Sequence, residues 1–142
     1  MSAENKALAR RVLEEVFNQG NLSLIDELFT EDIVNHDAAF PEPQVGAVAA
    51  RATVNGYREG FPDLRITIEE QLADGDRVAT RWTARGTHRG ELMGMSATGK
   101  QATVTGITID RIVDGRIAET WTNWDTLGML QQLGAVPALA TA

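Results

Sequence analysis

The hydrophobic period of this chain changes at Pro62. Before it, Leu8, Val12, Leu13, Val16 and Phe17 recur at the spacing of one helix face, with Arg10, Arg11, Glu14 and Glu15 on the other. After it, Leu64, Ile66 and Ile68 alternate with Arg65, Thr67 and Glu69, the two-residue period of a half-buried strand. A chain that runs helices first and alternating strands second is restricted to α+β architectures, with helices on one face of a mostly antiparallel sheet.

Punctuation refines this pattern. Gly20 stops the first helix, and Asn21 or Ser23 starts a short second one carrying Leu24, Ile25, Leu28 and Phe29, with Asp26 placed to support a Ser23 cap. Residues 33–37 read as a short strand and 40–46 as a loop marked by Pro41 and Pro43. A third helix over 48–60 aligns Val54, Tyr57 and Phe61. Asp74-Gly75 and Asp114-Gly115 are hairpin signals. They separate strands over 64–73, 77–85, 101–113 and 116–125. In the second of these Val78, Thr80, Trp82 and Ala84 share a face opposite Arg77, Arg81 and Arg85. The glycine-bearing stretch 86–100 is either a distal bend or a flap, and 127–133 is a last helical turn closed by Gly134 before a frayed tail. Three short helices cannot cover a long, strongly twisted sheet that curls, so the gap between sheet and helices is expected to form a pocket.

The 142 residues suit one domain spanning 1–142. The net charge of −7 argues against nucleic acid or an anionic membrane as partner. There is no cysteine, hence no disulfide or thiolate metal site. No signal peptide or membrane-length apolar run is present, so cytoplasmic is the default location. No nucleophile elbow, phosphate loop or dinucleotide fingerprint occurs, and no cofactor or metal is expected.

Chemistry must then come from polar residues on apolar faces. His36 follows the second helix, and His88 has the parity of Trp82 and Ala84. Either imidazole is a candidate hydrogen-bond donor or general acid, or else a loop anchor. Asp125 shares parity with Ile117, Glu119, Trp121 and Asn123. Beside indole rings it would be desolvated and basic, a general base; the alternative is a cap on the turn at Thr126-Leu127-Gly128. Trp121 and Trp124 point to opposite faces, as do Asp110 and Arg111. The expected catalytic set is Asp125, His88 and His36. The expected substrate-contacting set is Trp121, Asn123, Trp82, Asn35, Tyr57 and Phe61.

The stretches 81–90 (RWTARGTHRG), 93–100 (MGMSATGK) and 110–125 (DRIVDGRIAETWTNWD), running into 127–134, resemble the signature of the SnoaL-like polyketide cyclases of the nuclear transport factor 2-like superfamily. Phe17-Asn18-Gln19-Gly20-Asn21 and Val34-Asn35-His36 fit the same pattern, so the resemblance covers nearly the whole chain. It implies a cone-shaped α+β barrel around an apolar pocket and a dimeric or larger assembly. It also implies cofactor-free intramolecular aldol closure of an aromatic polyketide, with the family's catalytic Asp matching Asp125. The family's partner histidine on the preceding strand has no counterpart; Thr108, Asp110 and Arg111 stand there. Relatives acting in anthracycline hydroxylation, and non-catalytic binding modules of this fold, are the alternatives. The implied partners are a small aromatic substrate and a second copy of the chain, docked through an outer sheet face bearing Ile107, Ile109 and Trp124.

Overall fold

A computed structural model describes residues 2–137. Helix α1 (Ser2–Arg11) continues into a π-helical segment, Val12–Asn18. Its end is pinned from two sides. The Asn18 side chain pairs with both the N–H and the C=O of Ile66, at 2.7 and 2.9 Å, as a strand neighbour would. Arg58 donates to the carbonyls of Phe17 and Asn18, which the wider turn leaves open.

The second helix is shorter than its sequence pattern. A 3-10 turn (Leu22–Leu24) leads into a single turn, α2 (Ile25–Leu28). Ser23 donates to the Asn21 side chain instead of capping, and Asp26 pairs with Arg51. Strand β1 (Phe29–Asp37) therefore begins before the expected Ile33. The proline loop contains a two-residue strand, β2 (Gln44–Val45), and α3 runs over Ala47–Gly60. Strands β3 (Arg65–Asp74), β4 (Arg77–Thr87), β5 (Gln101–Val113) and β6 (Arg116–Trp124) form the meander, and α4 (Thr126–Gln132) closes it. The frayed tail expected after Gly134 lies outside the described residues beyond Pro137.

The α+β class expected from the sequence is the one observed. The six strands lie in the order β2-β1-β6-β5-β4-β3, antiparallel except for β1 beside β6. The sheet stays open, with β2 and β3 as its edges, and helices complete the wall. One apolar cluster joins α1 and β1 to Val78, Ile112 and Ile117; a second joins Phe61, Trp82 and Val104 to Met129 and Leu133 on the α4 side. The connection 88–100 folds back on itself, with His88 and Lys100 bonded at 2.8 Å and Leu92 buried. No described helix is long and apolar enough to cross a membrane.

One irregularity in β6 decides which residues face inward. Arg111 pairs with Glu119 but Ile112 pairs with Ile117, so Ala118 is an extra residue. A bulge of this kind exchanges the two faces of the strand beyond it. Ile117 is fully buried, yet Glu119, Trp121 and Asn123 lie on the outer face and Thr120, Thr122 and Trp124 face in.

Candidate active site

The inner face of the sheet is built in cross-strand rows, and polarity is graded along them. Asn35, Thr120, Asp110 and Val78 stand side by side on β1, β6, β5 and β4. The next row is Asp37, Thr122, Thr108 and Thr80. Trp124, Gly106, Trp82 and Ile68 follow on β6, β5, β4 and β3. Beyond them come the small residues Ala84, Gly86 and Ala102. Above this floor α1, the π-helical segment, α3 and α4 contribute mostly hydrocarbon, including Val12, Leu13, Val54 and Met129. The cavity between holds about 1170 Å³ of empty space, its open mouth included. An apolar chamber with polar groups along one wall is the usual form of a small-molecule site.

Gly106 makes the tryptophan row possible. A Cβ there would sit 2.4 Å from the Trp82 ring and 2.9 Å from the Trp124 Cβ. Without it the Trp82 indole lies across β5 and its Nε1–H donates to Thr108 Oγ1 at 3.1 Å; Thr108 and Thr122 hydroxyls are also 3.1 Å apart.

The two carboxyls of the floor differ in their surroundings. Asp37 Oδ1 accepts from Trp124 Nε1 at 2.9 Å and from the Ala39 N–H at 2.8 Å, and Oδ2 accepts from the Tyr57 hydroxyl at 2.8 Å. Burial, and then the charge of Asp37, hold the Tyr57 phenol well above its ordinary range. Asp110 has no side-chain hydrogen bond among the described residues, and it is only 5% exposed. Burial pushes its carboxyl up to about 7. Beside it, Asn35 Oδ1 accepts from Thr120 Oγ1 at 2.7 Å, which leaves the Asn35 amide N–H groups available to a ligand.

Four residues expected at the substrate, Asn35, Tyr57, Phe61 and Trp82, line this cavity. The expected catalytic trio is not brought together. Asp125 is exposed at the start of α4, where Oδ1 accepts from the Gly128 N–H at 2.8 Å; it caps the helix and does not line the cavity. Trp121 and Asn123 are on the outer face, because the bulge at Ala118 reverses the parity counted from Ile117. His36 is on that face too, stacked on Trp121 with centroids 5.4 Å apart and Nε2 2.7 Å from Glu119 Oε2. His36, and with it Arg111 at 3.3 Å, holds the Glu119 carboxylate below its ordinary range. His88 is fully buried behind Phe61, with Nδ1 accepting from the Thr98 N–H at 3.2 Å. Trp124, expected on the outside, is in the cavity wall.

Asp110 and Asp37 are the two carboxyls lining the cavity, and neither was among the expected site residues. The signal for Asp110 is the alternation Ala102, Val104, Gly106, Thr108, Asp110, Ile112, which sets an acid on the buried side of β5. Among the described residues no three His, Asp or Glu side chains converge as a metal site.

Comparison with known proteins places this geometry. The family model for SnoaL-like polyketide cyclase matches residues 7–133. Aklanonic acid methyl ester cyclase DnrD of Streptomyces peucetius is 32% identical over 129 residues, 89% of this chain and 88% of the relative. Among solved structures, AclR of Streptomyces galilaeus, a proposed hydroxylase, superposes with a TM-score of 0.84 at 31% identity, covering 97% of this chain and 85% of that one. IdmH of Streptomyces antibioticus, a proposed polyketide cyclase, gives 0.78 at 36% identity over 92% of this chain and 98% of its own.

Proposed function

This chain belongs to the SnoaL-like polyketide cyclase family, and we propose that it closes a ring in an aromatic polyketide ester by a cofactor-free intramolecular aldol reaction, with Asp110 as general base. The observation that carries the reading is the Asp110 carboxyl, unpaired and buried on an apolar cavity floor with a pKa of about 7. A carboxylate so placed is ionised near neutrality and far more basic than one in water, which suits proton abstraction from carbon. Asp110 takes the proton from the carbon between two carbonyls. The enolate carbon attacks a ketone of the same molecule and forms the new C–C bond. The resulting alkoxide takes the proton back from Asp110, so the product is an isomer of the substrate and the base is restored. The Asn35 amide donates to the enolate oxygen as charge develops there, and the cavity walls hold the reacting carbons together and exclude water. Incubation with aklanonic acid methyl ester, or a related anthracycline-type ester, tests the reading: the wild-type chain gives a cyclised isomer without added cofactor, and Asp110→Asn does not.

The outer face supports a homodimer. Leu72, Ala79, Ile109, Trp121 and His36 form one continuous row across five strands, with Ile107 exposed beside it. Exposed Leu72, Ile107 and Ile109 on one sheet face support a contact surface. In this reading the chain works as a cytoplasmic dimer on a small aromatic ligand.

The likeness to AclR favours one second reading, hydroxylation of the same substrate class. The enolate formed at Asp110 would add oxygen to give a carbon hydroperoxide, and a two-electron reductant supplied by a partner would cleave its O–O bond to the alcohol and water. Product formation under strict anaerobiosis separates the two: cyclisation continues and hydroxylation stops.

A further inference from the structure

The cavity floor does not end where the cavity ends. Along β4 the inward residues Trp82, Ala84 and Gly86 are followed, at the same parity, by His88. Phe61 closes the space between. Its ring lies over Gly86, where an added Cβ would come within 2.9 Å of the Phe61 Cβ, and it also packs against the His88 ring at 5.7 Å between centroids. Phe61 thus faces the cavity on one side and His88 on the other.

His88 itself is fully buried and half satisfied. Nδ1 lies 3.1 Å from Thr98 Oγ1 and accepts from the Thr98 N–H at 3.2 Å, an arrangement that puts the ring proton on Nε2 with the Thr98 hydroxyl donating to Nδ1. That Nε2–H is buried with no partner. An orphaned buried donor is costly and calls for an explanation. A simple loop anchor needs Nδ1 and the backbone bonds to Lys100 and Gly99, and leaves Nε2 unexplained.

We propose that the cavity has a cryptic end: Phe61 swings off Gly86 when a ligand bearing a pendant ester or ketone enters, and the His88 Nε2–H donates to that carbonyl oxygen. The floor is already clear for such a group, because Gly86 has no side chain and its neighbour Ala102 only a methyl. The ligand class follows from the tautomer. The site offers a proton to an acceptor and has no acceptor of its own, so it selects a carbonyl over a hydroxyl used as donor. This rests on the reading of the cavity as an aromatic polyketide site.

The test compares two neutral probes, anthraquinone and the methyl ester of an anthraquinone carboxylic acid, by quenching of tryptophan fluorescence. His88→Asn is the informative variant, since Asn Oδ1 can replace Nδ1 toward Thr98 while the distal donor is lost. The expected result is a five- to tenfold weaker affinity for the ester, roughly the worth of one hydrogen bond, with anthraquinone unaffected. Equal change for both probes, or none for the ester, overturns the proposal. Nitrogen-15 NMR of the wild-type chain gives a second readout should the variant fail to fold. The ester is expected to shift the His88 Nε2 resonance and abolish nuclear Overhauser contacts between Phe61 and His88, where anthraquinone does neither. Unchanged His88 signals under bound ester overturn the proposal alone. Failure of both probes to bind the wild-type chain overturns the reading of the cavity and this inference with it.

Discussion

Asp37 and Asp110 stand in adjacent rows of one cavity floor, and Asp37 accepts three hydrogen bonds where Asp110 accepts none among the described residues. Three donors, from Tyr57, Trp124 and the Ala39 backbone, hold Asp37 in one orientation. Asp110 receives none and is left to burial alone. Two carboxyls in one pocket thereby differ: Asp37 is a fixed acceptor that orders Tyr57 and Trp124, and Asp110 is an unpaired group whose pKa burial raises.

The Asp37 arrangement is structural, and truncating one donor should show it. Tyr57→Phe leaves Asp37 Oδ2 without its partner in a site where the carboxyl is only 7% exposed. Denaturant unfolding should report a loss on the order of 1–3 kcal/mol. A variant as stable as the wild type would mean that water replaces the phenol.

Gly106 should tolerate no side chain. Gly106→Ala places a methyl against Trp82 and Trp124, and the indole must leave Thr108 to make room. Overpacking of this kind costs roughly 1–3 kcal/mol. A lowered Tm together with an altered tryptophan emission spectrum is the expected result.

Asp125 should behave as a helix cap and nothing more. Asp125→Ala removes the acceptor of the Gly128 N–H and should cost about 1 kcal/mol of stability. Asp125→Asn keeps a good cap and should be close to neutral. Turnover per folded molecule should be unchanged in both, measured on the same substrate as the wild type.

The outer face should hold two copies together. Ile109 sits in the middle of the exposed apolar row. Sedimentation equilibrium should give twice the 15.4 kDa chain mass for the wild type and the single mass for Ile109→Asp. A wild-type monomer at high concentration would contradict the homodimer.

The parts of the fold that depend on local pattern were legible in the sequence. The alternation of Val78, Thr80, Trp82 and Ala84, the two Asp-Gly hairpins and the α3 stripe of Val54, Tyr57 and Phe61 all lead to the observed elements. Both residues of the Asp114-Gly115 turn adopt the left-handed conformation, at φ 49° and 77°, as the primed hairpin turn requires. The site was less legible because it hangs on one residue. Parity counted from the buried Ile117 puts Glu119, Trp121, Asn123 and Asp125 inside; the bulge at Ala118 puts them outside. Nothing local marks this bulge, because the neighbours of Ala118 are Ile117 and Glu119, with no glycine or proline beside it. On β5 the pattern stays in step through Asp110, so the buried carboxyl of the cavity stood on the strand whose parity was reliable.

The raised pKa of Asp110 has a consequence for stability as well as rate. An unfolded aspartate releases its proton near 3.8, the buried one near about 7. Between these values folding takes up a proton, so stability falls as pH rises through the window and levels off above it. Asp110→Asn removes this dependence, and above pH 7 the variant should be the more stable by a few kcal/mol, on the order of the shift itself. Urea unfolding of both proteins at acid and mildly alkaline pH reads this directly.

The pH dependence of kcat/KM for ring closure, measured on the wild type and on Asp110→Asn, bears most directly on Asp110 as the base. A base with a pKa of about 7 gives a rate that climbs with pH and flattens above neutrality. The Asn variant should fold, bind substrate, and lose roughly 10²-fold or more of the rate, the usual scale of a general base, together with that acidic limb. A folded Asp110→Asn protein that cyclises the substrate at the wild-type rate, or that keeps the same pH profile, would contradict the assignment.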